Sequence, residues 1–289
     1  MGAAKKVSGI MRDNMSVYEL RDIDFERISR LVYEQCGINL HDGKRELVKA
    51  RLSKRLREGN FTSFGDYYRY VVSDEGTDEL ISMIDSLSTN LTYFFREDSH
   101  FRKLSEVLPA MLSGARPGGS SAKPKIWSAG CSTGEEPYSI AMIVCECAEE
   151  FQSDIKIVAT DISTRVLGLA SKGIFSKEKL KNISPAMLRK YFQIGSGPYE
   201  GSFRIKKHVR GMVEFSRFNL MSTPPSNYVF DVIFCRNVLI YFDKETQAAL
   251  VRRFYNCLQK GGYFFAGHSE SLTGLDHEFK YIEPSIYRK

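Results

Sequence analysis

Between Lys125 and Ile140 the chain reads KIWSAGCSTGEEPYSI, a crowding of glycines, hydroxyls and paired carboxylates. Gly130 and Gly134 would let the backbone come close to a ligand. A helix starting near Glu135-Glu136 would offer unpaired N–H groups at its first turn. The GxGxxG spacing of dinucleotide sites is absent, and an ordinary strand-to-helix turn accounts for the same residues. Two further polar clusters end apolar runs. Asp161 follows IKIVA, where an acid commonly holds ribose hydroxyls, although DIST is also a good helix entry. Arg236-Asn237 ends FDVIFC, and polar residues there are costly unless they serve a ligand or a network.

These residues must be positioned by alternating elements. Before residue 110 the pattern is helical: Phe25, Ile28, Leu31 and Val32, then Val48, Leu52 and Leu56, then Leu80, Ile84 and Leu87. GARPGGSSAKP (114–124) has linker composition. After it, apolar runs at 155–159, 230–235 and 263–266 alternate with helical patterns such as 244–258, which Gly261-Gly262 is expected to stop. FKYIEPSIYRK could form a final hairpin. The reading is a helical unit over 16–113, a linker over 114–124, and an α/β domain over 125–289 with a mostly parallel, doubly wound sheet. Gly195, Gly197, Pro198 and Gly201 punctuate short runs, which suggests a small antiparallel β insertion at about 192–216.

Composition narrows the class. The 289 residues carry 43% hydrophobic side chains and a net charge of +6, which suits a globular protein open to acidic partners. No apolar run is long enough to span a membrane, and no secretory signal is visible, so a cytoplasmic location is expected. The six cysteines, Cys36, Cys131, Cys145, Cys147, Cys235 and Cys257, form no CxxC pair. Reduced thiols are expected, with no disulfide frame and no metal site.

A nicotinamide fold and an S-adenosylmethionine (SAM) fold both use such elements. The strand after Lys260-Gly261-Gly262, with its terminal hairpin, favours a methyltransferase. At this point the sequence resembles the chemotaxis receptor methyltransferases (CheR), from about Asp24 to Tyr287. The motifs that carry the resemblance are SLSTNLTYFFRE (86–97), WSAGCSTGEEPYSIAM (127–142), FCRNVLIYFD (234–243) and FAGHSES (265–271). The resemblance implies a SAM-dependent methyltransferase sheet with an N-terminal all-helical domain. It also implies an enzyme that forms methyl esters on receptor glutamates during chemotaxis adaptation and leaves S-adenosylhomocysteine.

Carried over by the resemblance, the cofactor contacts are Asn90, Thr92, Arg96, Glu136, Asp161, Asn219, Leu220, Arg236 and Asn237. Arg96 can pair with a carboxylate, Glu136 can meet the cofactor's ammonium, Asp161 the ribose diol, and Asn219 the adenine edge. Arg96 and Tyr241 are the candidates for orienting the acceptor, and His268 is expected to be structural. A glutamate acceptor is already ionised near neutral pH, so no general base is required. The basic run KRELVKARLSKRLR (44–57) groups Arg51, Lys54 and Arg55 beside an apolar stripe. The resemblance makes this a docking face for acidic receptor segments. An RNA methyltransferase and a non-catalytic SAM-sensing adaptor are the rival readings. Aromatic residues are not interleaved as a nucleic-acid stacking platform requires, and all cofactor motifs are present. Some family members bind a receptor C-terminal pentapeptide on the β insertion, and Gly195, Gly197 and Gly201 give this chain the longer loop of that kind. Partners are therefore expected to be receptor cytoplasmic domains, with no nucleic acid and no membrane insertion.

Overall fold

The computed structural model describes residues 18–88, 90–113, 123–147 and 155–289. The linker expected at 114–124 lies outside the described residues except for Lys123 and Pro124.

The first helices form because apolar residues recur every three or four positions and point inward. These are α1 (Asp22–Cys36), α2 (Arg45–Glu58), α3 (Phe64–Val71) and α4 (Thr77–Leu87). Phe25, Ile28 and Val32 of α1 meet Val48, Leu52 and Leu56 of α2 in one buried cluster. Gly37 ends α1 in the left-handed conformation and returns its N–H to the Tyr33 carbonyl. A fifth helix, α5 (Asp98–Leu112), buries Phe101, Leu104 and Leu108 in a different cluster, shared with the sheet that follows.

That sheet begins with β1 (Lys125–Ala129), α6 (Glu135–Cys147), β2 (Lys156–Asp161) and α7 (Thr164–Lys172). A small excursion follows: β3 (Ile174–Ser176), α8 (Pro185–Tyr191), β4 (Phe192–Ile194), β5 (Ser202–Ile205) and the single turn α9 (Lys207–Arg210). The chain then returns through β6 (Val213–Arg217), β7 (Phe230–Cys235), α10 (Lys244–Cys257), β8 (Leu258–Ala266), β9 (Lys280–Glu283) and β10 (Ile286–Arg288). The seven-stranded sheet runs β6-β2-β1-β7-β8-β10-β9. Its first five strands are parallel, and β10 is antiparallel to both neighbours.

The chain leaves β1 toward β2 on one side, and β7 lies on the other. The crevice outside the carboxyl ends of β1 and β7 is therefore the topological switch point, where open α/β sheets bind ligands. The central strands are apolar on both faces. Trp127 is fully buried, stacks on Phe230 at 5.2 Å between centroids, and donates its indole N–H to the Thr160 hydroxyl at 2.9 Å. Truncating such a side chain costs about 3–5 kcal/mol.

Three details differ from the sequence reading. The antiparallel sheet is β3-β5-β4, so it starts at 174 and ends at 205 rather than filling 192–216. Val213–Arg217, expected in that insertion, instead pairs in parallel with β2 as an edge of the main sheet. Its alternating run carries no mark of which sheet it joins. Finally, Gly261-Gly262 does not stop α10. The helix passes directly into β8, and the two glycines lie within that strand, where Gly261 N–H donates to the Lys289 carbonyl at 2.9 Å.

Candidate active site

The residues at the switch point surround one cavity of about 250 Å³. Gly130, Cys131, Ser132, Glu136, Asp161, Asn219, Leu220, Arg236, Asn237 and Tyr241 line it from the sheet side. Asn90, Leu91, Thr92 and Arg96 line it from the segment before α5, and Cys36, Ile38, Leu87 and Ser88 from the helical unit. All nine expected cofactor residues and Tyr241 are therefore brought together. Cys36 and Ile38 were not expected, while Leu87 and Ser88 fall within the motif SLSTNLTYFFRE (86–97) without having been singled out as contacts.

The turn after β1 is shaped by its glycine and by Asp161. Gly130 has φ +82°, and a side chain there would strike Val238 at 2.5 Å. Asp161 accepts the Ser132 N–H at 2.8 Å and the Ser163 N–H at 2.9 Å. The N-cap of α7 is Ser163, whose hydroxyl accepts from Val166 N–H. Asp161 therefore joins two loops. Burial pushes its carboxyl above the usual carboxylate range, against the pull of the Ser163 and Ser132 N–H groups.

Arg236 is the electrostatic centre. Its side chain is only 2% exposed, and it reaches Glu136 Oε2 at 2.9 Å and Glu97 Oε2 at 3.1 Å. It also donates to the Arg96 carbonyl and lies over the Phe101 ring at 5.4 Å. Glu136 takes a second bond from the Ser128 hydroxyl at 2.7 Å. Burial raises the Glu136 pKa, with Arg236 opposing. For Glu97, burial acts upward but Arg236, the His268 N–H and Asn237 outweigh it and hold the group low. Asn237, with φ +58°, donates its main-chain N–H to buried Glu270 at 2.7 Å and its side-chain amide to Glu97 at 3.3 Å.

Arg96 sits in a turn whose neighbours Phe95 and Glu97 have φ +54° and +58°. Non-glycine residues persist there only where their surroundings over-determine them. The fixings are visible: Phe95 N–H donates to the Ser139 hydroxyl at 3.0 Å, and Arg236 holds the Arg96 carbonyl. The Arg96 guanidinium is partly exposed and donates to the Leu91 carbonyl at 2.9 Å. Further along the segment, Lys179 donates to the Thr92 carbonyl at 3.1 Å and pairs with buried Glu135 at 2.9 Å.

Other expected residues have partners within the protein. The Asn219 side chain donates to the Gln35 carbonyl at 2.6 Å and accepts from Met221 N–H at 3.0 Å, which ties the end of α1 to the sheet. Arg51 caps α4 by donating to the Leu87 and Ser88 carbonyls at 2.6 and 3.0 Å. Arg55 pairs with Glu79 and Glu58 within the helical unit. Of these three basic residues, Lys54 alone is exposed, 3.8 Å from Glu58. Gly195 is approached by its own loop, a side chain there meeting the Tyr199 carbonyl at 2.1 Å, while Gly197 and Gly201 have positive φ. The turn itself explains these glycines.

Among the described residues, Glu97, His100 and His268 place potential metal ligands within 4.8 Å of one another. Glu97, however, is engaged by Arg236 and Asn237, and the guanidinium already supplies a cation. His268 is exposed and shares a hydrogen bond with Ser99 at 3.1 Å. His100 is fully buried and neither ring nitrogen makes a hydrogen bond, although Nδ1 lies 3.5 Å from Glu97 Oε2; burial drives its pKa down to about 3, with Arg236 adding to the shift and Glu97 opposing it.

A pocket at this switch point, an acid after β2 and a glycine turn after β1, on a parallel sheet finished by the antiparallel strand β10, mark a SAM-dependent methyltransferase of the doubly wound class rather than a nicotinamide fold. Residues 23–88 match the CheR methyltransferase all-alpha domain, and residues 90–288 match the CheR methyltransferase SAM binding domain. The chain is similar to the chemotaxis protein methyltransferase of Escherichia coli K12, with 42% identity over 93% of this chain and 91% of that protein. It is 41% identical to that of Salmonella typhimurium LT2 over 93% of this chain and 90% of that one. It is 38% identical to that of Borreliella burgdorferi B31 over 96% and 97%. This chain belongs to the CheR methyltransferase family, is an enzyme of chemotaxis, and uses SAM as its methyl donor.

The site fits that cofactor. The Asn90 side-chain amide is a buried donor without a protein partner and lines the cavity. Ile38, Leu87, Phe218, Leu220 and Val238 supply apolar walls. No helix among the described residues is long and apolar enough to cross a membrane.

Proposed function

We propose that this chain esterifies glutamate side chains on the helical cytoplasmic segments of chemoreceptors. The observation that best supports it is one cavity that gathers all nine expected cofactor residues, Arg96 among them, with Tyr241 beside them. When bound, SAM supplies a methyl group made electrophilic by its sulfonium. Asp161 is assigned the ribose diol, Glu136 the ammonium, and the Asn90 amide a further polar contact. Leu220 packs on the cofactor. Arg96 and Tyr241 orient the acceptor carboxylate, whose ionisation near neutral pH removes any need for a base. The apolar walls exclude water, which favours a step that neutralises opposite charges.

The receptor side is assigned to the helical unit and the cavity rim. Leu91, Tyr93 and Ile240 are exposed apolar residues, and Lys54 projects from α2. A second contact is assigned to the small sheet, whose strand β4 is an edge. Exposed Ile194 ends that strand and exposed Tyr199 lies in the turn after it, so an extended receptor-tail pentapeptide could add as a further strand. With receptor cytoplasmic domains as substrate, a cytoplasmic location follows. The RNA reading finds little support, because Arg51 and Arg55 are spent on carbonyls and carboxylates.

The test is incubation with radiolabelled SAM and soluble receptor cytoplasmic fragments. Label released by mild base marks a carboxyl ester, whereas base-stable label or none defeats the reading. For the small sheet, titration with C-terminal pentapeptides of the host's receptors should give saturable binding. Its absence for every peptide removes that assignment.

A further inference from the structure

Arg236 is held between two carboxylates, but only Glu136 lines the cavity; Glu97 approaches from behind. We propose that Glu97 is a positioning residue. It is the counter-ion of Arg236 and leaves the charge of Glu136 available to the cationic amino-acid end of the cofactor. This rests on the assignment of Glu136 to the ammonium.

The charge count carries the argument. Glu97, Arg236 and Glu136 together bear a net charge of −1, so an ammonium entering beside Glu136 meets an anionic site. Without the Glu97 charge, Arg236 and Glu136 form a neutral pair, and the ammonium must compete with a buried guanidinium for one carboxylate. Arg236 is 2% exposed, so solvent offers little screening of that competition.

The backbone is arranged to deliver this contact. Glu97 occupies the N-cap position of α5 with φ +58° and ψ +67°, yet its side chain makes no capping bond to the helix. The carboxylate faces Arg236 and Asn237 instead, at 3.1 and 3.3 Å. The sparsely populated left-handed backbone is thus spent on aiming a charge, not on starting a helix. Arg236 in turn holds the Arg96 carbonyl, so the same carboxylate steadies the turn that presents Arg96.

The experiment is calorimetric titration of Glu97→Gln with two ligands. S-adenosylhomocysteine carries the amino-acid end, and 5′-methylthioadenosine shares the nucleoside and sulfur but lacks that end. The neutral variant should bind S-adenosylhomocysteine at least tenfold more weakly while 5′-methylthioadenosine changes less than twofold. Unchanged S-adenosylhomocysteine affinity, or equal weakening of both ligands, overturns the proposal, because a general disturbance of the pocket would not discriminate. Glu97→Asn, whose side chain tolerates the left-handed backbone, provides a second neutral variant with the same expectation. If neither variant folds, the carboxylate is a structural requirement and the proposal fails. Glu136→Gln in the same titrations separates the two layers. If it leaves S-adenosylhomocysteine affinity intact, the ammonium assignment is wrong.

Discussion

Asp161 accepts the Ser132 N–H at 2.8 Å across the gap between two strand ends, so the acid after β2 shapes the turn after β1. Its carboxylate still borders the cavity. Asp161→Ala should weaken S-adenosylhomocysteine binding by roughly 1.5–3 kcal/mol, the scale of a lost charged hydrogen bond. Calorimetry checks this, and unchanged affinity would take Asp161 out of the site.

Arg96→Ala should lower the methylation rate by roughly 10²-fold or more, the scale expected when an orienting group is lost. The Arg96 side chain donates to an exposed carbonyl and lies 5.8 Å from the Tyr93 ring, so the melting temperature should hardly move. Near-normal turnover by the folded variant would rule out the orienting role.

Charge reversals on α2 should separate into two kinds. Arg55→Glu breaks a partly buried pair with Glu79, which also accepts from the Tyr67 hydroxyl, and should cost about 3 kcal/mol of stability. Lys54→Glu should leave stability within about 0.5 kcal/mol and raise the KM for receptor fragments in a salt-sensitive way. Urea unfolding and methylation at two ionic strengths distinguish them. A Lys54 variant with wild-type KM at low salt would exclude α2 as a docking face.

His100 gives the fold a pH dependence. Its folded pKa of about 3 lies below the unfolded value near 6.5. Above the unfolded value both states are neutral and the folded state bears no penalty. Between the two values the unfolded chain binds a proton that the folded chain does not, so stability falls as pH falls. The loss between pH 7 and pH 5 should be about 2 kcal/mol. His100→Leu should flatten that part of the profile in urea unfolding at pH 7 and pH 5. An unchanged slope would show that other groups carry it.

The switch point was legible because it is written locally. A glycine turn, an acid after a strand and Arg236-Asn237 after another strand each mark a strand end, and the parallel alternation places those ends side by side. The segment 90–96 came from the resemblance, since nothing in its own periodicity aims it at the sheet. Arg51 and Arg55 show the limit of reading charge from a helix face. Both sit on the polar side of α2, but their partners, the Ser88 carbonyl and Glu79, come from α4, a contact that only packing brings about. Val213–Arg217 shows the same limit for strands, because alternation fixes which face is buried but not which neighbour is paired. Glu97 was also invisible, since its role depends on a buried partner 139 positions away in the chain.

Phe94 lies between Phe175 of β3 and Phe192 of β4, at 4.8 and 5.7 Å, while Asn182 holds its carbonyl at 3.2 Å. The segment carrying Thr92 and Arg96 is therefore riveted to the small sheet, and lifting it away would expose Phe94 at a cost of about 1.5–3 kcal/mol. Helices α1–α4 are fastened to the sheet side by other contacts, among them the Asn39 N–H on the Tyr241 carbonyl at 2.8 Å, the Tyr33 hydroxyl on Asp243 at 2.7 Å, the Asn219 amide on the Gln35 carbonyl at 2.6 Å and the Arg165 N–H on Asp85 at 3.2 Å. Residues 92–97 and the small sheet are therefore expected to exchange amide protons as one slow block. Faster exchange at 92–97 than at 174–176 would show instead that the segment flaps by itself.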